Sequence, residues 1–89
     1  MAKIIRNANG EKLYPVCGFQ KSQHKLFYWE NKAFLKAHED GTSEKDYDEW
    51  MFWQDVCEYA HCIHDGLIYM PYRFYNRVKE AIVAYDLHH

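Results

Sequence analysis

The run WMFWQDVCEYAHCIHDG, Trp50 to Gly66, is the densest in the chain, with two Trp, one Phe, one Tyr, two Cys and two His. Its periodicity decides how everything else can pack. Wound at about 100° per residue, residues 47 to 64 gather Trp53, Val56, Cys57, Ala60, Ile63 and His64 on one side. That stripe suffices as a core face. Phe52 and Tyr59 extend one edge of it, and Trp50 extends the other. Met51 and Cys62 fall on the far side, among Asp55 and Glu58. The apolar arc thus covers roughly half the helix, against the ~100° that buries a surface helix. Either several elements surround this helix, or part of its arc is a contact surface.

The helix has a clear start. Ser43 is a good N-cap, and Glu44, Asp46, Asp48 and Glu49 fill the first turns, where the helix dipole favours carboxylates. EDGTSEK before it is a turn. The helix is expected to run to about His64 and stop at Gly66. LIYM, residues 67 to 70, is too short to assign. Pro71 suits the first turn of a final helix. Phe74, Val78, Ala81, Ile82 and Tyr85 form that helix's buried stripe, with Arg73, Arg77 and Glu80 on a solvated flank.

Upstream, KIIRNANGEKLYPV reads as a β-hairpin with arms Lys3 to Arg6 and Glu11 to Val16. Asn9-Gly10 favours a tight turn in which both central residues have positive φ. Pro15 cannot donate a ladder hydrogen bond, so the second arm should be an edge there or end nearby. After the polar turn QKSQH, the aromatic run KLFYW, Lys25 to Trp29, reads as a third strand. Asn31 to Asp40 fits either a short helix capped by Asn31 and stopped at Gly41, or a fourth strand. No repeat, linker or low-complexity tract divides the 89 residues. The expectation is one α+β domain: a small N-terminal antiparallel sheet of about three strands, packed against two longer C-terminal helices.

Composition narrows the function. Charged residues are 27% and hydrophobic residues 48%, which are globular values. Eight Tyr, five Phe and three Trp exceed what so small a core can hold, so some must face outward, where Tyr and Trp make binding hot spots. No signal-peptide pattern and no membrane-length apolar run is present. Three cysteines, Cys17, Cys57 and Cys62, suit a reducing compartment better than a disulfide scaffold. A cytoplasmic, membrane-free protein is expected. Residues 1 to 36 carry a net charge of +5 and residues 37 to 70 a net of −8. Opposite faces could attract each other within the fold or serve different partners.

Three chemistries compete for the aromatic run. Cys57, His61 and His64 stand at i, i+4 and i+7, a spacing zinc ligands use, and Cys17, His24, His38, His88 or His89 could complete a set. No CxxC or HxxxH accompanies them, and Cys57 sits inside the core stripe, where free cysteine is a common filler. No metal or other cofactor is expected, and no enzyme fingerprint or Gly-rich phosphate loop occurs. Nucleic acid is the second candidate. Lys25, Phe27, Trp29 and Lys32, with Arg73 and Arg77, interleave cations with rings as single-strand-binding sheets do; the acidic middle segment argues against it. The same acidic residues could imitate phosphate, although helix starts favour them anyway.

The leading expectation is a non-enzymatic protein that binds another protein. Trp50, Met51, Phe52 and Tyr59 would be the anchors, and Asp46, Asp48 and Glu49 would steer a basic partner. A homodimer could bury the same arc. Such a chain would suit an inhibitor or accessory protein of phage or mobile-element type.

Overall fold

The computed structural model describes residues 4 to 89. The expected hairpin opens it: β1 (Ile5–Arg6) runs antiparallel to β2 (Lys12–Gly18), with Ile5 opposite Leu13 and Arg6 opposite Lys12. Lys3, expected to start the first arm, lies outside the described residues. The turn is looser than the two-residue type read from Asn9-Gly10, because Gly10 takes positive φ (81°) and Asn9 does not. The Asn7 side chain is the reason. Its Oδ1 accepts from the N–H groups of Asn9 and Glu11 at 3.0 and 2.9 Å, while the Gly10 N–H donates to the Asn7 carbonyl at 3.0 Å. A side-chain carbonyl that imitates backbone stabilises a three-residue loop ending in glycine.

Pro15 lies within β2, opposite Tyr69. The Tyr69 N–H donates to the Cys62 carbonyl at 2.9 Å, away from β2, so this pair exchanges no hydrogen bonds. The missing proline N–H therefore points to the side where, among the described residues, β1 pairing has already ended.

The third strand is overturned. QKSQH is no turn and KLFYW is no strand; both belong to α1 (Phe19–Ala37), which also absorbs the ambiguous residues 31 to 37. Asn31 is an interior helical residue, not a cap. No Gly or Pro interrupts residues 19 to 37, and the lysines and glutamines among them are good helix formers. Leu26, Ala33 and Ala37 are buried at helical spacing. This outweighs the β preference of a five-residue aromatic run, which depends strongly on context. The helix ends before Gly41, whose φ of 77° belongs to the turn that follows.

The helix α2 (Glu44–Tyr59) starts as expected, with Ser43 Oγ accepting from the Asp46 N–H at 3.2 Å. It ends five residues short of His64. Asp65 and Gly66 both take positive φ, 54° and 77°, and turn a second hairpin, β3 (Ile63–His64) and β4 (Leu67–Pro71). Pro71 closes β4 instead of opening a helix. One 3-10 turn, Tyr72–Phe74, leads into α3 (Tyr75–His88). The expected stripe there is correct: Phe74 and Val78 are buried, and Ala81, Ile82 and Tyr85 are half-buried.

The result is an α+β fold: among the described residues, a four-stranded antiparallel sheet of order β1-β2-β4-β3 with three helices. Val16, Leu26, Val56, Ile68, Met70 and Val78 are fully enclosed, joined by Trp53 and Phe74. No helix among the described residues is long and apolar enough to cross a membrane.

Candidate functional site

A six-residue connection folds α2 back along α1. Lys36 near the end of α1 meets Asp46 in the first turn of α2 at 3.7 Å, and Phe27 in mid-α1 meets His61 just past α2, ring centroids 5.8 Å apart. Helical periodicity divides α1 into three flanks. Leu26, Ala33 and Ala37 face the core. Lys21, Lys25, Lys32 and Lys36 recur along a second line. Phe27, Glu30 and Phe34 recur along a third.

The third flank and α2 enclose an open groove of about 600 Å³. Phe27 and Glu30 line it from α1; Met51, Gln54, Asp55, Cys57 and Glu58 line it from α2; His61 closes one end. At the other end rings cluster around Trp50: Phe34 at 5.6 Å, His38 at 4.8 Å and Tyr47 at 5.5 Å between centroids. Trp50 Nε1 donates to Glu30 Oε1 at 3.3 Å, which ties the ring to the groove's floor. Large apolar side chains stay open to water here: Phe27 is 38% exposed, Phe34 40%, Met51 42% and Tyr47 47%. Asp48, Asp55 and Glu58 stand with Met51 on the outer line of α2, at i, i+7, i+10 and i+3.

The expected partner-binding residues divide between two sides of α2. Met51 lines this groove and Trp50 adjoins it through Glu30, while Asp48 is exposed on the outer line of α2. Phe52 and Tyr59 do not line it. Phe52 packs edge-on against Trp53 and Phe74, with the Arg77 guanidinium 4.0 Å from its ring centre. The Tyr59 hydroxyl accepts from Asn7 Nδ2 at 3.0 Å and its ring lies beside Phe74. Asp46 pairs with Lys36. Glu49 accepts from Trp53 Nε1 at 3.1 Å and pairs with Arg77. Asp46 ties α2 to α1, while Phe52, Tyr59 and Glu49 serve the fold on the flank nearer Phe74 and Arg77. Glu30, Phe34 and Tyr47 enter the site or its end unannounced, and Phe27, expected only on a nucleic-acid surface, lines it. Their signal was the i, i+3, i+7 spacing of Phe27, Glu30 and Phe34, which a strand reading of KLFYW conceals.

The zinc candidates are pulled apart because α2 ends at Tyr59. His61 lies in a turn and His64 on β3, beside Tyr69 at 5.4 Å. Among the described residues, no three His, Cys, Asp or Glu side chains gather as a metal site would require. The Cys57 thiol donates to the Leu26 carbonyl, Sγ to O 3.6 Å. Burial, helped by the nearby Glu30 charge, pushes it up to about 12. Burial also raises the thiols of Cys17 and Cys62.

The six nucleic-acid candidates do not share a sheet either. Lys25 pairs with Asp86 at 2.6 Å, Arg73 with Glu11 at 3.2 Å, and Arg77 with Glu49. Trp29 donates its Nε1 hydrogen to the Ala81 carbonyl at 2.9 Å and lies over Trp53, centroids 6.3 Å apart. Lys32 covers the Trp29 ring, and Phe27 is on the opposite flank of α1.

Compared with protein-family models, with curated proteins and with solved structures, the chain matches none.

Proposed function

We propose that this chain is a non-enzymatic binding protein that captures a protein partner in the groove between α1 and α2, as an inhibitor or accessory protein does. One observation carries the reading. Phe27 and Met51 remain exposed in the groove, and Phe34 and Tyr47 remain exposed in the ring cluster around Trp50 beside it, although the fold buries comparable rings, Phe74 and Trp53, elsewhere. Apolar side chains held at a shared opening are what interface anchors look like before they are covered. Carboxylates on the rim speed encounter with a basic partner and reject acidic ones.

The test is a paired capture from cells that encode the protein, with wild type and the Phe27→Ala plus Met51→Ala double variant as baits. Truncating two central anchors costs on the order of 1–2 kcal/mol each, so binding should weaken by about ten-fold or more. The variant's melting temperature should fall less than on truncation of an enclosed core residue, since both side chains are already about two-fifths exposed. A partner held equally well by both baits places the interface elsewhere.

A further inference from the structure

We infer that the groove's occupant is a basic, amphipathic α-helix of another protein, lying between α1 and α2 as a third helix; this rests on the function proposed above. Three features select it.

The first is shape. The groove is a furrow between two helices, and its α2 wall, Met51 to Glu58, is about 10 Å long at 1.5 Å per residue. Phe27 rises from its α1 wall, and Phe34 stands two turns further along the same flank, against Trp50. An entering helix presents apolar residues at i, i+3, i+4 and i+7 with that same pitch, which is how helices dock in grooves. The second is backbone chemistry. Both walls are helices whose N–H and C=O groups bond internally, so an extended segment would find no ladder to join and would leave its own backbone unpaired.

The third is charge. The ion pairs of the described residues use Glu11, Asp46, Glu49 and Asp86. Glu30, Asp55 and Glu58 line the groove with no lysine or arginine among the described residues at ion-pair distance. A helix with Lys or Arg flanking its apolar stripe complements this rim. A second copy in a two-fold arrangement would set this acidic rim against an identical acidic rim, and like charges across an interface oppose association.

The experiment uses an 18-residue peptide of Leu and Lys, patterned as an amphipathic helix and fluorescently labelled. It is compared with the same composition interrupted by two central prolines and with a Leu/Glu version. The 89-residue chain should bind the Leu/Lys helix, with amide exchange slowed at residues 27–34 and 51–58. The proline-broken peptide should bind at least ten-fold more weakly, and the Leu/Glu peptide not measurably. The Phe27→Ala plus Met51→Ala variant should lose at least ten-fold. The Asp55→Asn plus Glu58→Gln variant, which leaves the apolar floor intact, should lose a similar factor.

Equal binding of the proline-broken or Leu/Glu peptide overturns the inference, and so does binding indifferent to both variants. A dimer that dissociates in the Phe27→Ala plus Met51→Ala variant also overturns it, by putting a second copy in the groove. A captured cellular partner that protects the groove through an extended or acidic segment defeats the helix alone. A capture independent of Phe27 and Met51 defeats the binding reading as well.

Discussion

Cys57 shows how much one residue's surroundings decide. Its periodicity placed it in the core stripe, and the structure sets it half-buried at the groove's floor with its thiol on the Leu26 carbonyl. Burial and the Glu30 charge raise it from an ordinary 9.0 to about 12. Below pH 9 the thiol is protonated in folded and unfolded chains alike, so its favourable contribution is fully present. Between about 9 and about 12 the unfolded chain releases a proton that the folded chain keeps, and stability falls as pH rises. Cys57→Ala removes that difference. Urea unfolding at pH 7 and pH 10.5 should therefore show a smaller alkaline loss in the variant than in wild type. Equal losses would mean that water reaches the thiol and burial does not govern it. The neighbouring side chains were less legible. A helical wheel shows that Trp50, Phe52 and Tyr59 flank one core stripe, but both flanks look alike until a neighbour covers one. Phe74 and Arg77 cover Phe52, and they come from an element more than twenty residues away.

The same limit operates on whole elements. Ser43 as a cap, the α3 stripe and the first hairpin were readable because each is set by residues a few positions apart. Lys25 to Trp29 failed for the opposite reason: five aromatic-rich residues satisfy a strand or a helix, and only the run from Phe19 to Ala37 without a breaker separates them. The second hairpin carried its own signal in Asp65-Gly66, the pair that favours a tight turn. It was obscured because Gly66 also suits a helix end. Glycine substitution tests this hairpin directly. Gly66 has φ of 77°, and an added Cβ there meets nothing within 4 Å, so any penalty of Gly66→Ala is conformational. Left-handed backbone costs an L-residue roughly 1–2 kcal/mol. Gly18 is equally open around its Cβ but has φ of −73°. Gly18→Ala should be neutral, or stabilising by about 0.4–1 kcal/mol through the unfolded state. Chemical denaturation of the two variants should thus move in opposite directions from a common reference, or at least differ by about 1 kcal/mol. A benign Gly66→Ala would contradict the positive-φ turn between β3 and β4.

For the whole molecule, the opposed charges of the sequence are partly consumed inside the fold. Lys36 with Asp46, Arg77 with Glu49 and Arg73 with Glu11 bring basic and acidic segments together. Exposed pairs of this kind add little because water screens them, so burial must supply most of the stability. That burial is uneven. The molecule is long and thin, 51 × 32 × 18 Å, and the large enclosed side chains Leu26, Val56, Ile68, Met70 and Val78 lie toward the sheet and α3. The far end of the α1–α2 hairpin holds the small Ala37, a half-buried Trp50 and the exposed Phe34, Leu35 and Tyr47. Segments with few buried apolar contacts open at lower free energy than the core. Native-state hydrogen exchange should therefore rank amides of residues 34–37 and 47–50 well below those of residues 24–28 and 54–58. A helix seated in the groove would cover Phe34 and Met51 and carry the slower class outward toward the tip. Uniform protection along α1 in the free protein would mean that the ring cluster around Trp50 already closes that end, and that the groove is rigid before any partner arrives.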